Sequence, residues 1–289
     1  MAVVAFFGLG SMGLPMAINL LKAGHEVRVM VHKNTSGPEE AVRHGGILSS
    51  SMQDMVAGAD VIVSVVPDDA AVLDIYENEE FKRSVGRGCL VLEMSSCTPD
   101  AVRRVESLCR PLGVHVLDAP ITGARPKAVA GTLVVLGAGD SKDFVAAEPV
   151  LSAISEKVFQ LGTVGTGKII KAMTNLLGAV NLAAVGEFYR FASALGLDME
   201  TLAEVTRESA GGSTQFSRNF DRMVKGDYAP FFTLGLMLKD MEIAMKCAAG
   251  YPELHMPLAE RAVELYRSAS SLYAGEDCSG IARVDSRGD

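Results

Sequence analysis

Apolar and polar positions fall into two regimes that meet near residue 161. Before it, short runs of Val, Ile, Leu and Phe alternate with stretches whose apolar residues recur at helical spacing. Residues 2–7, 26–32, 60–67, 89–94 and 114–119 read as buried strands, and 14–23, 69–76 and 99–112 as the helices between them. Alternation of this kind predicts a parallel sheet covered on both faces. A strand over 131–138, a helix over 141–154 and a short strand over 157–160 complete this half. After Gly162 the pattern becomes purely helical, with segments at 168–195, 199–207, 214–224, 234–249 and 257–273 separated by glycine-containing breaks. The expected division is therefore 1–161 and 162–289.

The first strand runs directly into Gly8-Leu9-Gly10-Ser11-Met12-Gly13 and then into a helix. A strand, a glycine turn and a helix in that order present backbone N–H groups to a pyrophosphate. In this reading Gly8 permits the tight turn, Gly10 lets the backbone approach the phosphates, and Gly13 lets the helix pack on the strand. The turn Gly8, Gly10, Ser11, Met12 and Gly13 is thus the candidate dinucleotide site.

Composition narrows the partners. The chain has 289 residues, 48% hydrophobic and 21% charged, with a net charge of −8, which fits a folded protein and disfavours nucleic-acid or anionic-membrane partners. No uninterrupted apolar run reaches the roughly 20 residues that span a bilayer, and the apolar start reads as a strand because no basic region precedes it. The five cysteines are scattered, odd in number and without a CxxC pair, as a reducing cytoplasm allows. The histidines show no metal-ligand spacing, so no metal is expected.

At the end of the second strand, a dinucleotide fold that binds NAD offers a carboxylate to the adenosine ribose. Here Val31-His32-Lys33-Asn34-Thr35 stands instead. Lys33, helped by His32, Asn34 and Thr35, suits a 2′-phosphate, so NADP is expected over NAD.

Three further motifs follow in order: Asp118-Ala119-Pro120-Ile121-Thr122-Gly123-Ala124 with Gly131-Thr132-Leu133, Gly165-Thr166-Gly167 with Lys171 and Asn175, and Leu238-Lys239-Asp240. Together with the first glycine turn they resemble the β-hydroxyacid dehydrogenases, the family of 3-hydroxyisobutyrate dehydrogenase and tartronate semialdehyde reductase. The resemblance implies an α/β fold: an N-terminal Rossmann dinucleotide-binding domain, an all-α C-terminal domain for substrate binding and oligomerisation, and an active site between them. It implies a homodimer or homotetramer acting on a small acidic substrate. It also makes Lys171 the catalytic lysine, Asn175 the asparagine beside the substrate, and Thr122, Gly123 and Ala124 the substrate-carboxylate loop. Val65, Val66 and Ser96 match residues bordering the nicotinamide ribose, and Lys239 with Asp240 matches a pair near the cofactor.

The chemistry of these residues agrees with those roles. Lys171 and Asn175 are four apart, on one helix face, with Gly178 expected to leave space a turn further on. A lysine amine relays a hydroxyl proton while an asparagine holds the oxygen. The Thr122 hydroxyl and the N–H groups of Gly123 and Ala124 suit a carboxylate. Thr122 departs from the family's serine, Ala124 from a second glycine, and Thr174 from an asparagine beside Asn175, while Arg125 and Lys127 make the loop more basic. An added cation there favours a second acidic group on the substrate. Three alternatives stand beside this resemblance: an imine reductase-like enzyme, against which Lys171 speaks, a decarboxylating 6-phosphogluconate dehydrogenase, whose helical portion is much longer, and a non-catalytic NADP-binding module.

Overall fold

A computed structural model of the protein describes residues 1–32 and 35–284. By compactness the chain forms two units, Met1–Lys171 and Ala172–Asp289.

The first unit is built on six parallel strands, β1 (Val3–Phe7), β2 (Glu26–Val29), β3 (Ile47–Leu48), β4 (Val61–Ser64), β5 (Leu90–Glu93) and β6 (His115–Asp118), in the order β3-β2-β1-β4-β5-β6. This is the doubly wound dinucleotide-binding order, with its switch between β1 and β4. Successive residues of one strand serve opposite cores: Val4 and Phe6 join one apolar cluster and Ala5 and Phe7 the other. That period-two division explains why the strands read as continuous apolar runs.

The helices of this unit are α1 (Gly13–Lys22), α2 (Ser36–Arg43), α3 (Met52–Val56), α4 (Asp69–Tyr76), α5 (Glu79–Ser84), α6 (Pro99–Cys109), α7 (Ala124–Ala130) and α8 (Ser141–Ile154). The pattern-based helix over 99–112 is an α-helix followed by a 3₁₀ turn, Arg110–Leu112. The strand expected over 26–32 stops at Val29, so His32 lies beyond it. The expected strand over 131–138 is β8 (Leu133–Gly137), which joins a separate three-stranded sheet in the order β7-β8-β9. There β7 (Ile121–Thr122) is antiparallel to β8, and β9 (Ser155–Gln160) is parallel to it.

The second unit is helical: the greater part of α9 (Thr166–Ala194), then α10 (Met199–Arg207), α11 (Thr214–Lys225), α12 (Leu234–Ala248) and α13 (Pro257–Tyr273). Asp198, Ser213 and Thr233 cap α10, α11 and α12 with their side chains, which locates those starts in the sequence. Phe216, Phe220, Met241 and Tyr266 fill the core, and Met237 and Met245 pack into it as their spacing predicts. The expected boundary at 161/162 precedes α9, whereas the compact units divide within it, because Lys168 in its first turn is buried in the first unit.

No apolar run is uninterrupted over the length of a bilayer, yet one helix is apolar on average over that length. Helix α9 is 29 residues long and apolar enough to cross a membrane by length and composition. Its Ala172, Leu176, Ala179, Leu182 and Ala183 are instead buried in the core of the second unit.

Candidate active site

Each glycine of the first turn has its own geometry. Gly8 has φ +91°, and a Cβ there would lie 2.1 Å from the Val65 carbonyl oxygen. A Cβ on Gly13 would lie 1.9 Å from the Gly8 oxygen and 3.0 Å from the Phe6 ring, so α1 sits against β1. A Cβ on Gly10 would meet nothing within 4 Å, and the residue is exposed. Steric need thus explains Gly8 and Gly13, while nothing in the surrounding fold requires a glycine at 10. Met12 precedes α1 without any side-chain cap, and Ser11 is exposed beside it. In the first turn of α1 the Leu14 N–H already donates to the Gly10 carbonyl (3.1 Å) and Pro15 has no N–H, so an anion here would rest on the glycine turn and the α1 dipole rather than on those two residues.

Beyond β2, Val31 and His32 are exposed, and Thr35 stands at the start of α2. Lys33 and Asn34 lie outside the described residues. Sequence reasoning missed Gly37, whose Cβ would come 2.4 Å from the Leu9 carbonyl oxygen. The start of α2 therefore abuts the glycine turn. The Ser-Gly-Pro run at 36–38, with a small residue before a proline, was the available signal for that helix start.

The loops after β4 and β5 carry Val65, Val66 and Ser96, all partly exposed. The Val65 N–H donates to the Phe7 carbonyl (2.9 Å) and the Val66 N–H to Ser95 Oγ (2.9 Å). These bonds hold both loops at the strand ends where a doubly wound sheet takes its ligand.

The 122–124 segment, expected as a carboxylate-binding loop, joins a strand directly to a helix. Thr122 ends strand β7 opposite Val134, Gly123 (φ +136°) precedes α7, and Ala124 opens that helix with φ +58°. Among the described residues Ala124 is the one non-glycine with positive φ. Lys127 does not add its charge to the loop freely, since its ammonium pairs with Glu156.

Lys171 and Asn175 lie one turn apart on α9, both partly exposed. The Asn175 side-chain N–H donates to Asp240, with Nδ2 2.6 Å from Oδ2. Asp240 is buried, and Lys239 places its ammonium 3.3 Å from Oδ1. Asn175, Asp240 and Lys239 thus form one polar cluster joining α9 to α12. The space expected beside Gly178 is taken: a Cβ there would lie 3.0 Å from Gln215 Nε2. Gln215, on α11, also accepts a hydrogen bond from Asn219 through Oε1 (2.9 Å). It was missed because nothing in a helical register reveals which residue of another helix faces a glycine.

The sheet order and the glycine turn ahead of α1 define a dinucleotide-binding α/β protein. A family model for the NAD binding domain of 6-phosphogluconate dehydrogenase matches residues 3–162. A second model, described as NAD-binding of NADP-dependent 3-hydroxyisobutyrate dehydrogenase, matches residues 165–284. The chain belongs to the NAD(P)-dependent β-hydroxyacid dehydrogenase family, of 3-hydroxyisobutyrate dehydrogenase type. It is 33% identical to the NAD-dependent L-serine dehydrogenase of Pseudomonas aeruginosa, over 98% of each chain. It is 30% identical to the 2-hydroxy-3-oxopropionate reductase of Escherichia coli, over 93% of this chain and 91% of that one. The solved structure of Mycobacterium tuberculosis 3-hydroxyisobutyrate dehydrogenase with L-serine superposes with a TM-score of 0.90 at 29% identity, covering 98% of both chains.

Proposed function

We propose that this enzyme interconverts a small β-hydroxy acid and its semialdehyde or keto acid, with NADP as cofactor and Lys171 as proton relay. The observation that carries the reading is the placement of Lys171 one turn before an asparagine that is oriented by buried Asp240. Asn175 holds the substrate oxygen. The Lys171 amine accepts the hydroxyl proton as the alcohol is oxidised, and in the reverse direction its ammonium returns that proton to the developing alkoxide. A bound nicotinamide takes up or supplies the hydride. The Thr122 hydroxyl and the N–H groups of Gly123 and Ala124 hold the substrate carboxylate. Relatives named for L-serine and for 2-hydroxy-3-oxopropionate support a small organic acid as substrate.

Gly8, Gly10, Ser11, Met12 and Gly13 hold the pyrophosphate, Val65, Val66 and Ser96 border the nicotinamide ribose, and Lys239 contacts the cofactor. His32, Lys33, Asn34 and Thr35 receive the 2′-phosphate. One relative is named NAD-dependent, so the NADP preference rests on the missing carboxylate in this chain's own 31–35 segment. Exposed Met173, Leu177 and Phe191 on α9, with Leu195 just beyond its end, support a homodimer or homotetramer formed through the helical unit. Buried Cys89, Cys97, Cys109 and Cys278, whose thiols burial pushes up to about 12, are inert at neutral pH and suit the cytoplasm.

The test is a turnover screen of small hydroxy acids and semialdehydes with both cofactors, run on the wild type and on Lys171→Ala. The variant keeps its NADPH affinity in a binding titration and loses about 10²- to 10⁴-fold in hydride-transfer rate. Loss of cofactor binding with an unchanged rate removes Lys171 from its role. NADPH binding by the wild type without turnover of any acid, aldehyde or imine favours a non-catalytic module instead.

A further inference from the structure

Beneath the loops after β4, β5 and β6 lies a connected set of buried polar side chains: Ser64, Glu93, Ser95, Asp118 and Lys168. Lys168, in the first turn of α9, donates from Nζ to the Glu93 carbonyl oxygen (2.7 Å) and sits 3.2 Å from Asp118 Oδ1. The other Asp118 oxygen, Oδ2, accepts the backbone N–H groups of Gly165 (2.9 Å) and Lys168 (3.1 Å). Gly167 makes the approach possible, since a Cβ there would lie 2.3 Å from the Leu136 carbonyl oxygen and 3.0 Å from Asp118 Oδ2. The Glu93 carboxylate accepts the Ser64 hydroxyl and the Ser95 N–H (2.8 Å). Ser64 in turn meets the Tyr76 hydroxyl at 2.8 Å.

Stability alone does not account for a lysine in this position. An ammonium at the first turn opposes the helix dipole, and replacing a buried ion pair by apolar groups is often neutral or stabilising. Burial disfavours the Lys168 ammonium, yet its buried acidic neighbours, Asp118 and Glu93 among them, outweigh that and hold its pKa above the ordinary lysine value. What the pair does supply is a fixed register. Asp118 precedes Thr122 by four residues and Lys168 precedes Lys171 by three, so one contact ties the start of α9 to the root of the 119–124 loop.

We propose that Asp118 and Lys168 are positioning residues, a buried clamp that sets the height of Lys171 on α9 against the Thr122 loop. The inference rests on the assignment of Lys171 as proton relay. Neither clamp residue touches substrate; both act through the helix and loop they hold.

The test uses Asp118→Asn, Lys168→Met and the double variant in the full chain. Each single variant leaves one buried charge unpaired and lowers the urea midpoint. The double variant removes both charges, regains most of the midpoint and binds NADPH within about twofold of wild type. Its kcat nevertheless stays roughly 10- to 100-fold down with little change in KM, the loss expected when a supporting partner is removed. The amides of residues 165 and 168 also exchange about tenfold faster, because hydrogen bonds to a charged carboxylate are the stronger ones. Recovery of kcat together with the midpoint reduces the pair to a packing contact and overturns the proposal. Should the wild type turn over no hydroxy acid or semialdehyde, it is the reaction assignment that fails. Amide exchange then judges the clamp by itself, and unchanged protection in the double variant overturns it.

Discussion

Asn175 donates its side-chain N–H to the buried carboxylate of Asp240, 2.6 Å away. A carboxylate only accepts, so it fixes which end of the Asn175 amide faces α12 and thereby orients the other end. An amide at 240 both donates and accepts, and that selection is lost. Asp240→Asn is therefore expected to lower kcat by about 10- to 100-fold while NADPH affinity changes far less. Steady-state kinetics beside a cofactor titration measure both. A variant with wild-type kcat shows that Asp240 does not orient Asn175 for the reaction.

The parallel core was legible because β1, β4, β5 and β6 are buried on both faces and so appear as unbroken apolar runs. The long helices were legible from their periodicity, and α8, α10 and α13 begin and end where the pattern places them. The short elements were not. Helices α2, α3, α5 and α7 span only one or two turns, too few for a period to emerge, although Ser51 and Asn78 do cap α3 and α5. The two-residue strands β3 and β7 exist through pairing with distant partners. The same limit applies to the site. Spacing along one helix relates Lys171 to Asn175, but the contacts of Lys168 with Asp118 and of Gly178 with Gln215 bridge 50 and 37 positions of sequence (168 minus 118, 215 minus 178).

Ala124 begins α7 with φ +58°. A side chain in the left-handed region costs about 1 kcal/mol that glycine does not pay. Ala124→Gly is expected to raise stability by about that amount, read as a higher urea midpoint at unchanged slope. Ala124→Val, with a β-branched side chain in the same backbone, is expected to lower it. Reversal of that order means that the backbone at 124 is not held at positive φ.

The 31–35 segment offers a lysine and no carboxylate. A charge-assisted contact to a 2′-phosphate is worth about 1.5–3 kcal/mol, so Lys33→Ala is expected to weaken NADP binding by about 10- to 150-fold and to leave NAD binding nearly unchanged. Shared contacts from His32 and Thr35 place the single variant toward the lower end of that range. The measurement is the ratio of kcat/KM for the two cofactors in wild type and variant. An equal or NAD-favouring ratio in the wild type sinks the NADP assignment and leaves the reaction class standing.

Asp277 couples the stability of the helical unit to pH. Its buried carboxylate accepts the N–H groups of Phe231 (2.9 Å), Phe232 (3.2 Å) and Ser279 (3.1 Å), as well as the Ser279 hydroxyl (2.8 Å). Arg222 Nη1 lies 2.8 Å from Oδ1. Burial raises the carboxyl's pKa, but these hydrogen bonds prevail and hold it below the ordinary value of 3.8. A folded-state value below the unfolded one means that the unfolded chain binds the proton first as pH falls. The stabilisation is therefore complete well above pH 3.8 and declines below it, until pH passes the depressed folded value. Asp277→Asn is expected to cost about 3 kcal/mol at neutral pH, because Arg222 loses its buried partner. It should also flatten the fall in urea midpoint between about pH 4.5 and 3 relative to wild type. Equal acid slopes in the two proteins would falsify the assignment of that transition to Asp277.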